Sequence, residues 1–188
     1  MDYEARFRAI FDVAYPALIR YALYRGLSRA DADDLVGATL EVAWRKIDQV
    51  PTDDPLPWLY AVERNLLMNL RRSNIRRSTL LERLPVPEAH PAPGDESTNQ
   101  DHQLLRAALA ALDDDDQEIL RLVAWDELTP SQAAVVLGIS AVASRTRLHR
   151  ARRRLATRLE SYEQRRADVG QIPSARDTTP QSVEVTDA

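Results

Sequence analysis

Apolar residues return every third or fourth position through long stretches of this chain, and no run of strict alternation competes with them. From Tyr3 to about Arg25 the apolar positions are Phe7, Ile10, Phe11, Ala14, Leu18, Tyr21 and Ala22, which predicts a helix interrupted or kinked at Pro16 and stopped at Gly26. Ser28 with Asp31 has the form of a capping box, and "ADADDLVGATLEVAWRKI" continues as a second helix. "VPTDDPLP" is a proline-rich loop, after which a third helix is expected from about Trp58 to Arg77. The pattern then stops. "PVPEAHPAPGDESTNQ" (85–100) has four prolines and no apolar period, as a linker does.

Periodicity resumes near Asp101. "DHQLLRAALAAL" predicts a helix, and "DDDD" (113–116) suits the start of the next, where carboxylates meet the positive end of the helix dipole. "TPSQ" (129–132) is a strong helix start: Thr129 caps, Pro130 takes the first position and Gln132 completes the box. Gly138 ends that short helix and Ser140 caps the last. The expected fold is all-α: two small helical domains, 1–83 and 101–167, joined by a flexible linker (84–100), with an unstructured tail (168–188).

Charge sharpens this picture. The chain is acidic overall, with a net charge of −4, yet residues 119–167 carry +6 and residues 60–83 carry +4, while 84–118 carry −8. Two separate basic regions point to a polyanionic partner held at two places. The absence of cysteine excludes disulfides and thiolate metal sites, and three scattered histidines offer no metal cluster. No apolar run approaches the roughly 18 residues of a membrane span, and the charged start "MDYEARFRAIF" lacks a signal core. These features predict a cytoplasmic protein with no membrane insertion, no metal and no cofactor.

The densest charge lies in "LTPSQAAVVLGISAVASRTRLHRARRRL", which has the form of a helix-turn-helix. Ala133 and Ala134 allow close crossing of two helices, Gly138 supplies the turn, and Leu137, Ile139 and Val142 are expected to form the apolar joint. Leu148, Ala151 and Leu155 share one face of the last helix. Arg145, His149, Arg152 and Arg153 share another, flanked by Arg147, Arg150 and Arg154. A merely solvated face would pair these arginines with acids at i,i+4 spacing, and none lies between Arg145 and Leu159. Phosphate donors flanking a few base-reading side chains are what a helix in the major groove needs.

The first module narrows the class. "DADDLVGATLEVAWRKIDQVP", "PLPWLYAVERNLLMNLRRSNIRR" and the block from Ala107 to Leu155 together resemble regions 2.2, 2.3–2.4 and 4 of the small extracytoplasmic-function (ECF) sigma factors of the sigma-70 family. The resemblance covers about 5–83 and 101–160. It implies promoter-specific transcription initiation with core RNA polymerase, and no enzymatic chemistry. It places −35 recognition at Arg145, Thr146, His149 and Arg150, with Arg147, Arg152 and Arg153 on phosphate. It places −10 capture at the 50–57 loop and at Arg64, Asn65, Met68, Asn69, Arg71 and Arg72, where a basic track meets extruded bases. Trp58 and Tyr60 read as core rather than as stacking platforms. It places docking on the polymerase β′ clamp helices at Asp33, Asp34, Leu35, Val36 and Thr39. A simple core role also suits Leu35 and Leu40, and is the preferred reading of Trp44. The polymerase β flap, promoter DNA and an anti-sigma factor are the other partners implied.

Departures from the family pattern carry expectations too. Gly37 and Ala38 stand where polar or acidic residues are usual. Glu63 stands beside the promoter-reading surface, where its charge would repel phosphate. Ser144 stands where an apolar residue normally fills the helix-turn-helix joint, predicting a looser region 4. The competing class is a helix-turn-helix regulator acting as a dimer without polymerase, which leaves the first module unexplained. An enzyme finds no phosphate loop, paired metal ligands or nucleophile motif to support it.

Overall fold

The computed structural model describes residues 2–80 and 100–170, with side chains for 2–73 and 101–166. Seven α-helices and no strands are present among the described residues: α1 (Tyr3–Tyr24), α2 (Arg29–Arg45), α3 (Leu56–Leu80), α4 (Gln100–Ala110), α5 (Asp114–Ala124), α6 (Pro130–Leu137) and α7 (Ala141–Gly170). The proposed linker falls almost wholly outside the described residues, as does the tail beyond 170. α7 itself runs to Gly170, past the expected end at 167.

Local chemistry sets most helix ends. Asp2, which the periodicity did not single out, caps α1 by accepting from the backbone N–H groups of Glu4 and Ala5. α1 then runs through Pro16 without a break, contrary to the expected interruption. A proline removes one helical hydrogen bond, but the buried stripe Ala14, Ala17, Leu18, Tyr21 and Ala22 on either side holds the helix to the core. Gly26 follows with φ +84°, a left-handed value that glycine adopts without strain. Ser28 caps α2 by accepting from Asp31 N–H at 3.1 Å, and its hydroxyl donates to the Asp31 carboxylate at 2.6 Å.

α1, α2 and α3 form a bundle around Leu18, Tyr21, Val36, Leu40, Leu59 and Tyr60. Tyr60 is buried and Trp58 half-buried against this core, as read from the sequence. Trp44 is the exception: it is 47 % exposed, its ring edge-on to Phe7. Its neighbours in register, Leu40 and Ala43, take the buried positions instead.

In the second unit α4, α5 and α7 pack around Leu109, Leu112, Ile119, Leu120, Leu148 and Ala151. Leu122, Leu128, Ala133 and Val136 of α5, α6 and their connection belong to the same buried cluster as the α1–α3 core. The two units therefore share an apolar interface, with α3 against α6.

Gly37 gives a direct stability test. It lies mid-α2, exposed, and a Cβ added there meets nothing within 4 Å. Gly37→Ala should raise the unfolding free energy by about 0.5–1 kcal/mol, read as a higher urea midpoint with an unchanged slope.

Candidate nucleic-acid interface

The second unit builds its motif as the sequence required. Thr129 Oγ1 accepts from Gln132 N–H at 3.2 Å, and Gln132 Oε1 accepts from Thr129 N–H at 2.8 Å, closing the capping box that starts α6. Pro130 occupies the first helical position, and Gly138 ends α6 with φ +65°. Ser140 caps α7 by accepting from Ala143 N–H at 3.1 Å. α6 and α7 are thus the two helices of a helix-turn-helix.

Two expectations about its joint are corrected. Val142 is 65 % exposed, not part of the apolar joint; it stands on the first turn of α7, outside the packed face. Ser144 does not loosen the joint. It is fully buried, and its hydroxyl donates to the Pro130 carbonyl at 2.6 Å, so a hydrogen bond ties α7 to the start of α6 where an apolar contact was expected.

Leu148 and Ala151 are buried and Leu155 packs against the same core, which orients α7. Arg145, Thr146, His149, Arg150, Arg152 and Arg153 are all exposed on its outer surface. Arg147 and Arg154 lie to the side that faces α5. Val142, expected in the joint, and Ala143 are instead exposed on the first turn; apolar side chains at the start of a recognition helix suit thymine methyl groups.

The α5 side of this surface is unexpected. Asp113 caps α5 by accepting from Asp116 N–H at 2.8 Å. The same run pairs with arginines of α7: Asp115 with Arg147 at 3.2 Å, Asp113 with Arg154 at 3.3 Å, and Asp116 with Arg154. A groove of about 680 Å³ runs between them, lined also by Ala143, Thr146 and Arg150. The acids missing between Arg145 and Leu159 are supplied by the start of α5, which no spacing along α7 could reveal.

In the first unit, α3 carries Arg64, Asn65, Met68, Asn69, Arg71 and Arg72. Asn65, Asn69, Arg71 and Arg72 are exposed; Arg64 and Met68 are half-buried. Arg64 reaches Asp115 at 3.7 Å, and Arg71 donates to the Arg25 carbonyl at 2.9 Å at the end of α1. In the loop before α3, Asp54 accepts from Gln132 Nε2 at 2.7 Å.

Of the residues placed at the polymerase contact, Leu35, Val36 and Thr39 are buried, and Thr39 donates its hydroxyl to the Leu35 carbonyl at 2.9 Å. Their side chains serve the bundle core and are not open to a partner. Asp33 is held by Arg29 at 3.0 Å and by the Tyr15 hydroxyl at 2.9 Å, which keep its carboxyl below the usual range. Asp34 and Glu41 are exposed, and Ala38 is half-exposed, so α2 presents a strip along Asp34, Gly37, Ala38 and Glu41.

Glu63 corrects the remaining expectation. It is fully buried rather than exposed beside the DNA surface, and neither carboxyl oxygen finds a hydrogen-bond partner in the protein. Burial pushes its pKa up to about 9; the Arg25 charge opposes this, while Asp126 and Glu118 add to it. At neutral pH it is an uncharged acid and repels nothing. Beside it Arg25 binds Glu118 at 2.9 Å and Asp126 at 3.0 Å, while its guanidinium lies 3.2 Å over the Tyr21 ring. The Tyr21 hydroxyl donates to Glu118 at 2.9 Å. Burial pushes both acids up. In Glu118 the bonds from Arg25 and Tyr21 outweigh it and the pKa falls, whereas Asp126, with Oδ1 unpartnered, stays raised.

A helix-turn-helix with an exposed cationic helix, joined to a second helical unit carrying its own basic surface, defines a DNA-binding protein of two helical modules. The sigma-70 region 2 family matches residues 10–77, and sigma-70 region 4 matches 102–155. The ECF sigma factor SigL of Mycobacterium tuberculosis is 32 % identical over 163 residues, covering 83 % of this chain and 90 % of the relative. The sigma factor NccH of Alcaligenes xylosoxydans xylosoxydans is 31 % identical over 154 residues, covering 78 % and 83 %. The Bartonella quintana sigma factor RpoE, solved in complex with the anti-sigma factor NepR, superposes with a TM-score of 0.62 at 27 % identity, over 82 % of this chain and 96 % of that one. The chain belongs to the sigma-70 family, among its ECF sigma factors. Its function is promoter-specific initiation of transcription with core RNA polymerase. No described helix is long and apolar enough to cross a membrane.

Proposed function

We propose that α7 reads the −35 element through Arg145, Thr146, His149 and Arg150, joined by Val142 and Ala143 on its first turn, with Arg147, Arg152 and Arg153 on flanking phosphates. α3 and the loop before it capture the −10 element through Arg64, Asn65, Met68, Asn69, Arg71 and Arg72. The observation that carries this reading is the exposure of the α7 cations on a helix whose opposite face is fixed by Leu148 and Ala151. Docking on the polymerase clamp falls to the exposed strip Asp34, Gly37, Ala38 and Glu41; buried Leu35, Val36 and Thr39 hold that strip in place. An anti-sigma partner is supported by the relative solved with one. The protein acts in the cytoplasm, where polymerase is, as a binding subunit and not an enzyme.

Run-off transcription tests the reading. Core polymerase with this protein, given a genomic promoter library, should yield specific starts that share two upstream elements and that core alone does not produce. DNA binding without any redirection of core would favour a polymerase-independent regulator.

A further inference from the structure

The start of α5 sets four consecutive carboxylates, Asp113 to Asp116, along the groove that Thr146 and Arg150 of α7 also line. These acids complement the positive end of the α5 dipole. They also stand against the cationic face that α7 offers to DNA. The four are not equivalent. Asp113 caps α5 by accepting from Asp116 N–H at 2.8 Å, and both carboxylates hold Arg154. The Asp116 side chain is 5 % exposed, so this group is a fixed brace between α5 and α7. Asp115 is placed differently. Its side chain is 55 % exposed, and it meets Arg147 at 3.2 Å and Arg64 of α3, more distantly, at 3.7 Å. Arg147 is the cation assigned above to a flanking phosphate. A carboxylate and a phosphate are both anionic acceptors for the same guanidinium donors. With Asp115 seated on Arg147, an approaching phosphate meets a cation whose charge is already compensated.

We propose that Asp115 sets the affinity of α7 for promoter DNA: it occupies Arg147 within the second unit, and a phosphate must displace it before Arg147 can join the interface. Phosphate contacts carry no sequence information, so this competition acts on all duplexes alike. It lowers affinity and leaves sequence preference to Arg145, Thr146, His149 and Arg150. The exchange is an easy one, because an exposed ion pair changes an equilibrium by at most about fivefold. Asp113 and Asp116 cannot play this part, since removing either would break the cap of α5 or its brace to α7. The proposal rests on the −35 reading of α7 and adds a competitor for one of its phosphate contacts.

A double-mutant cycle tests it, with Asp115→Asn, Arg147→Ala and the two combined in the full-length chain bound to core polymerase. Each is titrated with a duplex that carries the −35 element found by run-off transcription and ends before the −10 element, which keeps Arg64 out of the comparison. A scrambled duplex is the second probe. Asp115→Asn should tighten binding of both duplexes by about three- to fivefold, while Asp115→Glu, which keeps the charge, should stay within about twofold of wild type. In the Arg147→Ala background Asp115→Asn should have an effect below about twofold, because the cation it would release is gone. The gain should shrink as rising salt screens the exposed pair. Equal gains in both backgrounds would show that Asp115 only repels DNA through space. No gain, or weaker binding, would show that it serves α5 alone. Either result overturns the proposal. Failure of the underlying reading has its own signature: Arg147→Ala would then leave the affinity of every duplex unchanged, and the proposal would fall with the phosphate assignment.

Discussion

Replacing Arg145 and Arg150 together with alanine is expected to weaken holoenzyme binding to a −35-dependent promoter by about 100- to 1000-fold, with the fold intact. Both side chains are exposed on α7 and neither contributes to the Leu148–Ala151 core, so their loss leaves packing alone. Each good bidentate contact to a base edge is worth roughly 1–3 kcal/mol of discrimination, so two together come to roughly 2–6 kcal/mol, and the expected loss lies in the middle of that interval. Arg152→Ala and Arg153→Ala should behave differently. On the proposed assignment to phosphate, their loss should weaken all sequences alike and flatten the slope of log affinity against log salt by about one each. Titrations of wild-type and mutated −35 sites at several salt concentrations separate the two kinds. Loss of selectivity on changing Arg152 or Arg153, with none on changing Arg145 and Arg150, would reverse the assignment of base and phosphate contacts.

The second large effect belongs to Glu63. Its folded pKa, near 9, lies far above the ordinary carboxylate value because burial disfavours the charge. Between about pH 4.5 and 9 the native chain therefore holds a proton that the unfolded chain has released. Stability must fall as pH rises through this window, by at most ~1.4 kcal/mol per unit. The surrounding groups do not reverse the sign. Asp126 is also raised and adds to the slope at its lower end; Glu118 is lowered, so its effect is confined to pH below the ordinary carboxylate value. Burial raises the Tyr21 and Tyr60 hydroxyls, which act only in strong alkali, and Arg25 stays charged throughout. Glu63→Gln keeps the shape and removes the titration. It should flatten the profile and stabilise the protein by about 1–3 kcal/mol at pH 8, with little change at pH 5. Urea midpoints at both pH values measure this; parallel profiles for the two proteins would mean that Glu63 is ionised in the folded state.

These two predictions draw on different kinds of information. The arginines of α7 were legible because a recognition helix is written in consecutive sequence: capping box, glycine turn and cationic face lie within thirty residues. The buried acid was not. Glu63 sits four residues after Leu59 and three after Tyr60 on a buried face of α3, a register that placed it inside, but its charge argued for the surface. Only the tertiary packing over that face shows the acid inside, with both carboxyl oxygens unpartnered and the charge suppressed by burial. Ser144 is a similar case. Its polarity predicted a weak joint, and the Pro130 carbonyl that satisfies it comes from another helix.

Trp44 is exposed where a core position was expected, while Leu35, Val36 and Thr39 are buried, and the reason is which face of α2 packs inward. The apolar residues of α2 outnumber the positions one face can bury. Packing against α1 and α3 chose Leu35, Val36, Thr39, Leu40 and Ala43 and left Trp44 half open against Phe7.

By itself the sequence determined the helical class, the two modules, the helix-turn-helix and the family, because each depends on local spacing, caps and turn residues that the chain carries in order. Tertiary structure alone decided which acids meet which arginines, which carboxyl is buried and neutral, and how the two units face each other. Those outcomes depend on contacts between residues up to about a hundred positions apart, such as Arg25 with Asp126, and their energies come from desolvation and pairing that no local pattern encodes.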